Sequence, residues 1–150
     1  MKKYYVDVPS AGSKVWYKDA KRSILHREDG PAAEWSNGTK EWYINGERHR
    51  TDGPAIEYAN GTKFWFVDGK CHREDGPAAE YADGTKYWFV DGKRHREDGP
   101  AIVRADGSKS WFINGARVPE RRFLEQTQPV EEMTVAQIEQ LLGKRIKVVK

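Results

Sequence analysis

HREDGPAAEYADGTKYWFVDGKR, residues 72–94, decides how this chain folds. Two short runs, residues 77–81 and 86–90, are separated by Asp83-Gly84 and closed by Asp91-Gly92. Asp-Gly and Asn-Gly pairs supply the positive φ of tight hairpin loops. The second run, Lys86-Tyr87-Trp88-Phe89-Val90, is aromatic and branched, as strands are. Pro77 opens the first run, a place where a strand tolerates proline. The stretch therefore reads as two strands and two turns, with His-Arg-x-Asp-Gly-Pro as its lead-in.

The same unit of 23 residues recurs without a gap at 26–48, 49–71 and 95–117. His26, His49, His72 and His95 keep the period, as do Trp42, Trp65, Trp88 and Trp111. A partial unit precedes them: Gly12-Ser13-Lys14-Val15-Trp16-Tyr17-Lys18-Asp19 matches residues 107–114, with Ala20 in place of the turn glycine. Such a period means stacked supersecondary units with atypical ends. Charged residues make up 33% of the chain and the mean hydropathy is −0.89, so rings from six Trp, seven Tyr and five Phe must supply much of the buried area.

Strand alternation divides the residues between two faces. Trp42, Trp65, Trp88 and Trp111 share one with Ile44, Val67, Val90 and Ile113, which is expected to be the continuous core. The other carries Glu41, Phe64, Tyr87 and Ser110, expected to see solvent, and then Tyr43, Phe66, Phe89 and Phe112. That aromatic row reads either as ring packing between successive hairpins or as a ligand surface.

Gly-x-Lys-x-Trp-Phe-x-x-Gly followed by a turn resembles the MORN repeat, and the His-Arg-x-Asp-Gly-Pro-Ala form resembles the MORN-variant repeats of small bacteriophage accessory proteins. The resemblance covers about residues 11–117. It implies an all-β repeat array: consecutive antiparallel β-hairpins in an elongated, twisted, single-layer sheet, here with a short α-helical C-terminal tail. Standard MORN units carry Tyr-x-Gly before the Trp and His-Gly-x-Gly after it, so their functions transfer poorly to this chain.

The organisation expected is a cap and partial repeat over 1–25, four repeats over 26–117, and a capping or docking tail over 118–150. In the tail, residues 119–126 read as a short helix with Pro119 at its first turn. Residues 134–143 read as a second helix, with Thr134 as N-cap, Gln137 completing a capping box and Gly143 at C′. Residues 144–150 alternate like an edge strand guarded by lysines. This ending is similar to the Thr-Val-Ala-x-Ile-Glu-x-Leu-Leu-Gly endings of phage and bacterial accessory proteins.

The residues argue against chemistry. His-Arg-x-Asp superficially matches a kinase catalytic loop, but it occurs four times and is followed by Gly-Pro. Asp29, Asp52, Asp75 and Asp98 are expected to accept turn N–H groups or the neighbouring arginine, and the histidines to pack at hairpin junctions. Equivalent histidines would stand ~10 Å apart at two strands per unit, too far to share a zinc with ~2.0 Å bonds. No metal and no cofactor are expected. Cys71 stands where other units have Arg48 and Arg94 and is expected at an exposed, variable position; a lone cysteine excludes an internal disulfide and suggests a reducing compartment. Without an 18-residue apolar run or a signal-peptide core, the expected location is the cytoplasm, of the host cell if the chain is phage-encoded.

The basic excess sits in residues 1–25, while the repeats are close to neutral. That argues against nucleic-acid tracking, and leaves a weak membrane-surface reading through Lys2, Lys3, Lys14, Lys18, Lys21 and Arg22. The function expected is a non-enzymatic protein-binding module, with inhibition of a host defence or metabolic factor as one form it could take. Its partner-binding residues would be Tyr43, Phe64, Phe66, Tyr87, Phe89 and Phe112, with Arg50, Arg73 and Arg96. The alternative is a structural or assembly protein, a virion component or a homo-oligomer built through residues 118–150.

Overall fold

Each repeat places its strands by switching hydrogen-bond partners at the tryptophan. The computed structural model describes residues 4–127. In the first full unit, β3 (Ala33–Glu34) pairs with β4 (Lys40–Glu41), and the chain then turns into a separate small hairpin, β5 (Tyr43–Ile44) with β6 (Glu47–Arg48). Between them the Trp42 N–H reaches forward to the Ala55 carbonyl of the next unit at 2.8 Å, and the Trp42 carbonyl accepts the His49 N–H at 3.1 Å.

The next units repeat this as β7 (Ile56–Glu57), β8 (Lys63–Phe64), β9 (Phe66–Val67) and β10 (Lys70–Cys71), then β11 (Ala79–Glu80), β12 (Lys86–Tyr87), β13 (Phe89–Val90) and β14 (Lys93–Arg94). The last unit has β15 (Ile102–Val103), an unbroken β16 (Lys109–Ile113) and β17 (Ala116–Val118). At the start, β1 (Tyr5–Asp7) pairs with β2 (Lys14–Tyr17) of the partial repeat. The result is an antiparallel sheet of 11 strands in the order β1-β2-β3-β4-β7-β8-β11-β12-β15-β16-β17, flanked by the small hairpins. The all-β hairpin array read from the sequence is the observed fold, and α1 (Glu120–Thr127) follows Pro119 as its short helical tail. Phe123 of α1 is buried, at 3% exposure, and the helix lies against β16. The expected second helix over 134–143 and strand over 144–150 lie outside the described residues.

The two turns of a unit differ. Asn45-Gly46, with both residues at positive φ, makes the two-residue turn. The Asn37-Gly38 turn is longer. The Gly38 N–H bonds the Trp35 carbonyl and the Trp35 N–H bonds the Thr39 carbonyl, both at 2.9 Å, and Gly38 alone takes positive φ. Asn37 instead uses its side chain to accept the Thr39 N–H. This is the three-residue loop ending in a left-handed glycine, rather than a second Asx-Gly pair of the same kind.

The core also differs from expectation. The tryptophans and their Ile and Val neighbours are only half-buried. Fully enclosed instead are Ala32, Ala55, Ala78 and Ala101, each at 0% exposure, and beside them Val15, Ala33, Ile56, Ala79 and Ile102. A single sheet has no opposing layer in which an indole can be sunk, so small residues are enclosed along it while large rings lie over its faces. Ser110, expected to see solvent, is buried at 7% exposure, because it sits opposite Ile102 near the covered end of the sheet. Its counterparts Glu41, Phe64 and Tyr87 are half-buried, since each has a strand on both sides.

Units are also joined by hydroxyls. The buried Thr62 and Thr85 accept the N–H groups of Ala82 and Ala105 in the following unit, both at 3.1 Å. Ser13 does the same for Ser36 at 3.0 Å.

Candidate functional site

The register assigns every side chain to one of two faces, and the predicted binding residues divide between them. Directly opposed residues share a face. One face therefore runs Lys14, Glu34, Lys40, Glu57, Lys63, Glu80, Lys86, Val103, Lys109, an alternation of opposite charges across neighbouring strands broken only at Val103.

On this charged face the His-Arg-x-Asp-Gly-Pro loop explains itself. Arg50 Nε donates to Asp52 at 2.8 Å, and its Nη1 donates to the Pro54 carbonyl at 3.2 Å and to Glu57 at 3.0 Å. Its guanidinium lies 4.1 Å from the centre of the Trp42 ring. Arg27 on Trp16, Arg73 on Trp65 and Arg96 on Trp88 repeat the arrangement at 4.1 to 4.2 Å. The loop glycine is part of it. A Cβ on Gly53 would stand 2.9 Å from Arg50 Cζ. Arginine suits the place because its planar fork can stack and hydrogen-bond at once. The hydrogen bond from arginine, with its charge, holds Asp52 and Asp75 below the ordinary carboxylate range, and Asp98 likewise through its bond to Arg96.

The histidines sit at the hairpin junctions. The Nδ1 of His26 accepts the Asn45 N–H at 3.0 Å, and that of His95 accepts the Asn114 N–H at 3.0 Å. Each supports a non-glycine residue at positive φ. At His49 the Asp68 N–H likewise points to Nδ1, at 3.3 Å, and the Asp68 carboxylate comes to 2.8 Å of the same nitrogen. Arg50, Arg73 and Arg96, predicted to bind a partner, are therefore committed to the loops that hold successive units together. Shallow grooves between consecutive loops, one walled by Trp65, Val67 and His72, are lined by these same pairs.

The other face is aromatic. Phe64 meets Tyr58 at 5.9 Å and Tyr81 at 5.4 Å between ring centres, each at 80°. Tyr81 meets Tyr87 at 5.5 Å and 61°, and Tyr87 continues to Phe89 at 6.3 Å. The row crosses from unit to unit, so packing between hairpins accounts for the inner rings Phe64, Tyr87 and Phe89. Phe112 is joined to it through Arg94, which lies over Tyr87 and Phe112, while Arg48 lies over Tyr43 and Phe66. Outermost are Trp35, Tyr58 and Tyr81, 37%, 43% and 40% exposed. Burial and then the neighbouring Tyr87 raise the Tyr81 phenol above its usual value.

Compared with protein-family models the chain matches none, and no curated protein matches it in sequence.

Sequence reasoning missed Trp35, Tyr58 and Tyr81, together with Arg48 and Arg94. The first three share one offset in the unit, at the end of the first strand, where the four repeats carry Trp35, Tyr58, Tyr81 and Arg104; alternation from Ala33 to Trp35 was the available signal. Arg48 and Arg94 were passed over because Cys71 interrupts their period. Cys71 is not at an exposed position as expected but half-buried. Its thiol donates to the Ala78 carbonyl at 3.5 Å, and burial pushes its pKa up to about 11, away from the reactive thiolate. At the N-terminal end Glu41 gathers Trp35 Nε1 at 3.0 Å, the Tyr43 hydroxyl at 2.9 Å and Arg48 at 3.3 Å. Among the described residues no three His, Cys, Asp or Glu side chains form a group able to hold a metal.

Proposed function

We propose that this chain is a protein-binding module and that the aromatic face is its docking surface. The observation that carries the reading is the contrast between faces: the loop arginines are spent inside the charged face, whereas Trp35, Tyr58 and Tyr81 line up partly exposed on the other. Tyrosine and tryptophan give large contact area for little loss of side-chain freedom, which suits them to partner surfaces. A host-directed, phage-accessory role, including inhibition of a host factor, rests on the repeat resemblance alone.

The test is affinity purification of the full chain from bacterial lysate, beside the variant Tyr58→Ser/Tyr81→Ser. The rings are 43% and 40% exposed, and circular dichroism of the variant confirms the sheet before its binding is compared. A stoichiometric protein that co-elutes with the wild type and is lost with the variant supports the proposal. Equal recovery by both, or no stoichiometric partner for either, counts against it.

A further inference from the structure

The charges on the aromatic face are unevenly spread along the stack. At its N-terminal end Glu41 neutralises Arg48. Toward the C-terminal end Arg94, Arg104 and Arg117 are all exposed, and none forms an ion pair among the described residues. Arg117 sits opposite Phe112, and Arg104 occupies the offset of Tyr81, with the same backbone bonds to its turn. Asp106, in that turn, accepts the Ser108 N–H and also feels the charge of Arg104, whose Nη1 donates to the Ser108 hydroxyl at 3.3 Å. Arg94 rests on Tyr87 and Phe112 at 5.9 and 5.3 Å from the ring centres. A guanidinium stacked on a ring keeps its N–H fork for a carboxylate.

We infer that the partner presents an acidic segment with interspersed apolar or aromatic side chains, its carboxylates meeting Arg94, Arg104 and Arg117 and its apolar groups meeting Tyr81 and Tyr58. This rests on the docking role proposed above and specifies the partner's chemistry. Aromatic rings with arginines also suit single-stranded nucleic acid, which needs open ring faces for its bases. Here three ring pairs of the row meet edge to face, at 80°, 80° and 61°, the Tyr87 and Phe89 rings stack on each other at 25°, and the faces of Tyr87 and Phe112 already carry Arg94. Ring edges and hydroxyls, rather than free faces, favour a polypeptide.

The experiment selects a displayed random peptide library on three forms of the full chain: wild type, Tyr58→Ser/Tyr81→Ser, and Arg94→Glu/Arg104→Glu/Arg117→Glu. Wild type should enrich acidic peptides bearing aromatic or branched residues. The arginine variant should bind the best of them at least about tenfold more weakly, and salt should weaken the wild-type complex. If charge reversal unfolds the chain, the Arg→Gln triple takes its place, with weakening in the same direction. Enriched peptides that are neutral or basic and held equally by the arginine variant would overturn the acidic preference while leaving the docking face intact. Loss of nothing in either variant would overturn both. An oligothymidylate bound more tightly than any enriched peptide would assign the face to nucleic acid and overturn the inference.

Discussion

Trp65 and Phe66 are neighbours in the chain and lie on opposite faces of the sheet. Trp65 carries Arg73 at 4.2 Å, in an arrangement copied from Trp16 to Trp88. Phe66 has Arg48 above it and faces Cys71, where other units place arginine. The first face is written almost identically each time because every element of its loop restrains another: the arginine needs the ring, the carboxylate, the proline carbonyl and a glycine without Cβ. The second face carries Trp, Tyr, Tyr and Arg at one offset and Glu, Phe, Tyr and Ser at another. Repetition within one chain thus marks what joins the units, and departures from it mark where a surface is free to be particular.

The sharpest way to break this comparison is to remove one arginine from each face. Arg73→Ala would strip the cover from Trp65 and leave the Pro77 carbonyl without its donor. The expected loss is about 2–4 kcal/mol. Arg94→Ala, on the aromatic face, should cost under about 1 kcal/mol, since it is exposed and forms no ion pair among the described residues. Urea unfolding measures both, and the reverse order would refute the division of roles.

Gly76→Ala should cost about 1–3 kcal/mol. Its Cβ would stand 3.0 Å from Arg73 Cζ, and Arg73 is pinned on its far side by Trp65. The double variant Gly76→Ala/Arg73→Ala sharpens the point. If the clash with arginine is the cause, most of the glycine penalty disappears once Arg73 is gone, and the two losses fail to add. Strict additivity would mean the loop needs glycine for another reason.

The hairpins, their period and the short helix over 119–126 were legible because turn glycines and strand alternation are local signals. The core was not, since strand alternation separates two faces without showing that Arg50 lies on Trp42 and leaves the small alanines as the enclosed residues. Likewise Arg50, Arg73 and Arg96 looked free to bind although the loop aspartates were read as possible partners, because a sequence does not display the tryptophan ring and the proline carbonyl that also take up each guanidinium. The aromatic candidates Phe64, Tyr87 and Phe89 were found on one row as read, but their exposed neighbours lay in the segment whose variability hid its shared offset.

Acid should weaken the charged face. Asp52, Asp75 and Asp98 have folded pKa values below the ordinary one, so the fold favours their ionised forms. Their contribution is complete above the unfolded value of about 3.9 and fades as pH falls through the lowered folded values. Thermal melts from neutral pH downward should therefore show a decline below about pH 4 that is shallower in Asp75→Asn. An unchanged profile in that variant would separate the carboxylate from the stabilising role of its loop.

The smallest effect lies where the charged face departs from its own pattern. Arg27, Arg50 and Arg73 each reach a glutamate on the following strand, Glu34, Glu57 and Glu80, at 3.4, 3.0 and 3.3 Å. Arg96 has Val103 at that offset and, among the described residues, pairs with Asp98 alone of the carboxylates. Val103→Glu would restore both the arginine pair and the alternation between Lys86 and Lys109, which flank position 103 in register. Partly exposed pairs of this kind contribute about 0.2–1 kcal/mol and weaken with salt. The loss of half-buried valine surface works against the gain, so the net change at low salt should be a stabilisation of a few tenths of a kcal/mol. Raising the salt should erase it, since the two contributions differ in kind: the charge pairing is screened and the apolar term is not. A Val103→Glu chain that stays more stable at high salt would show that something other than charge alternation orders the strands of this face.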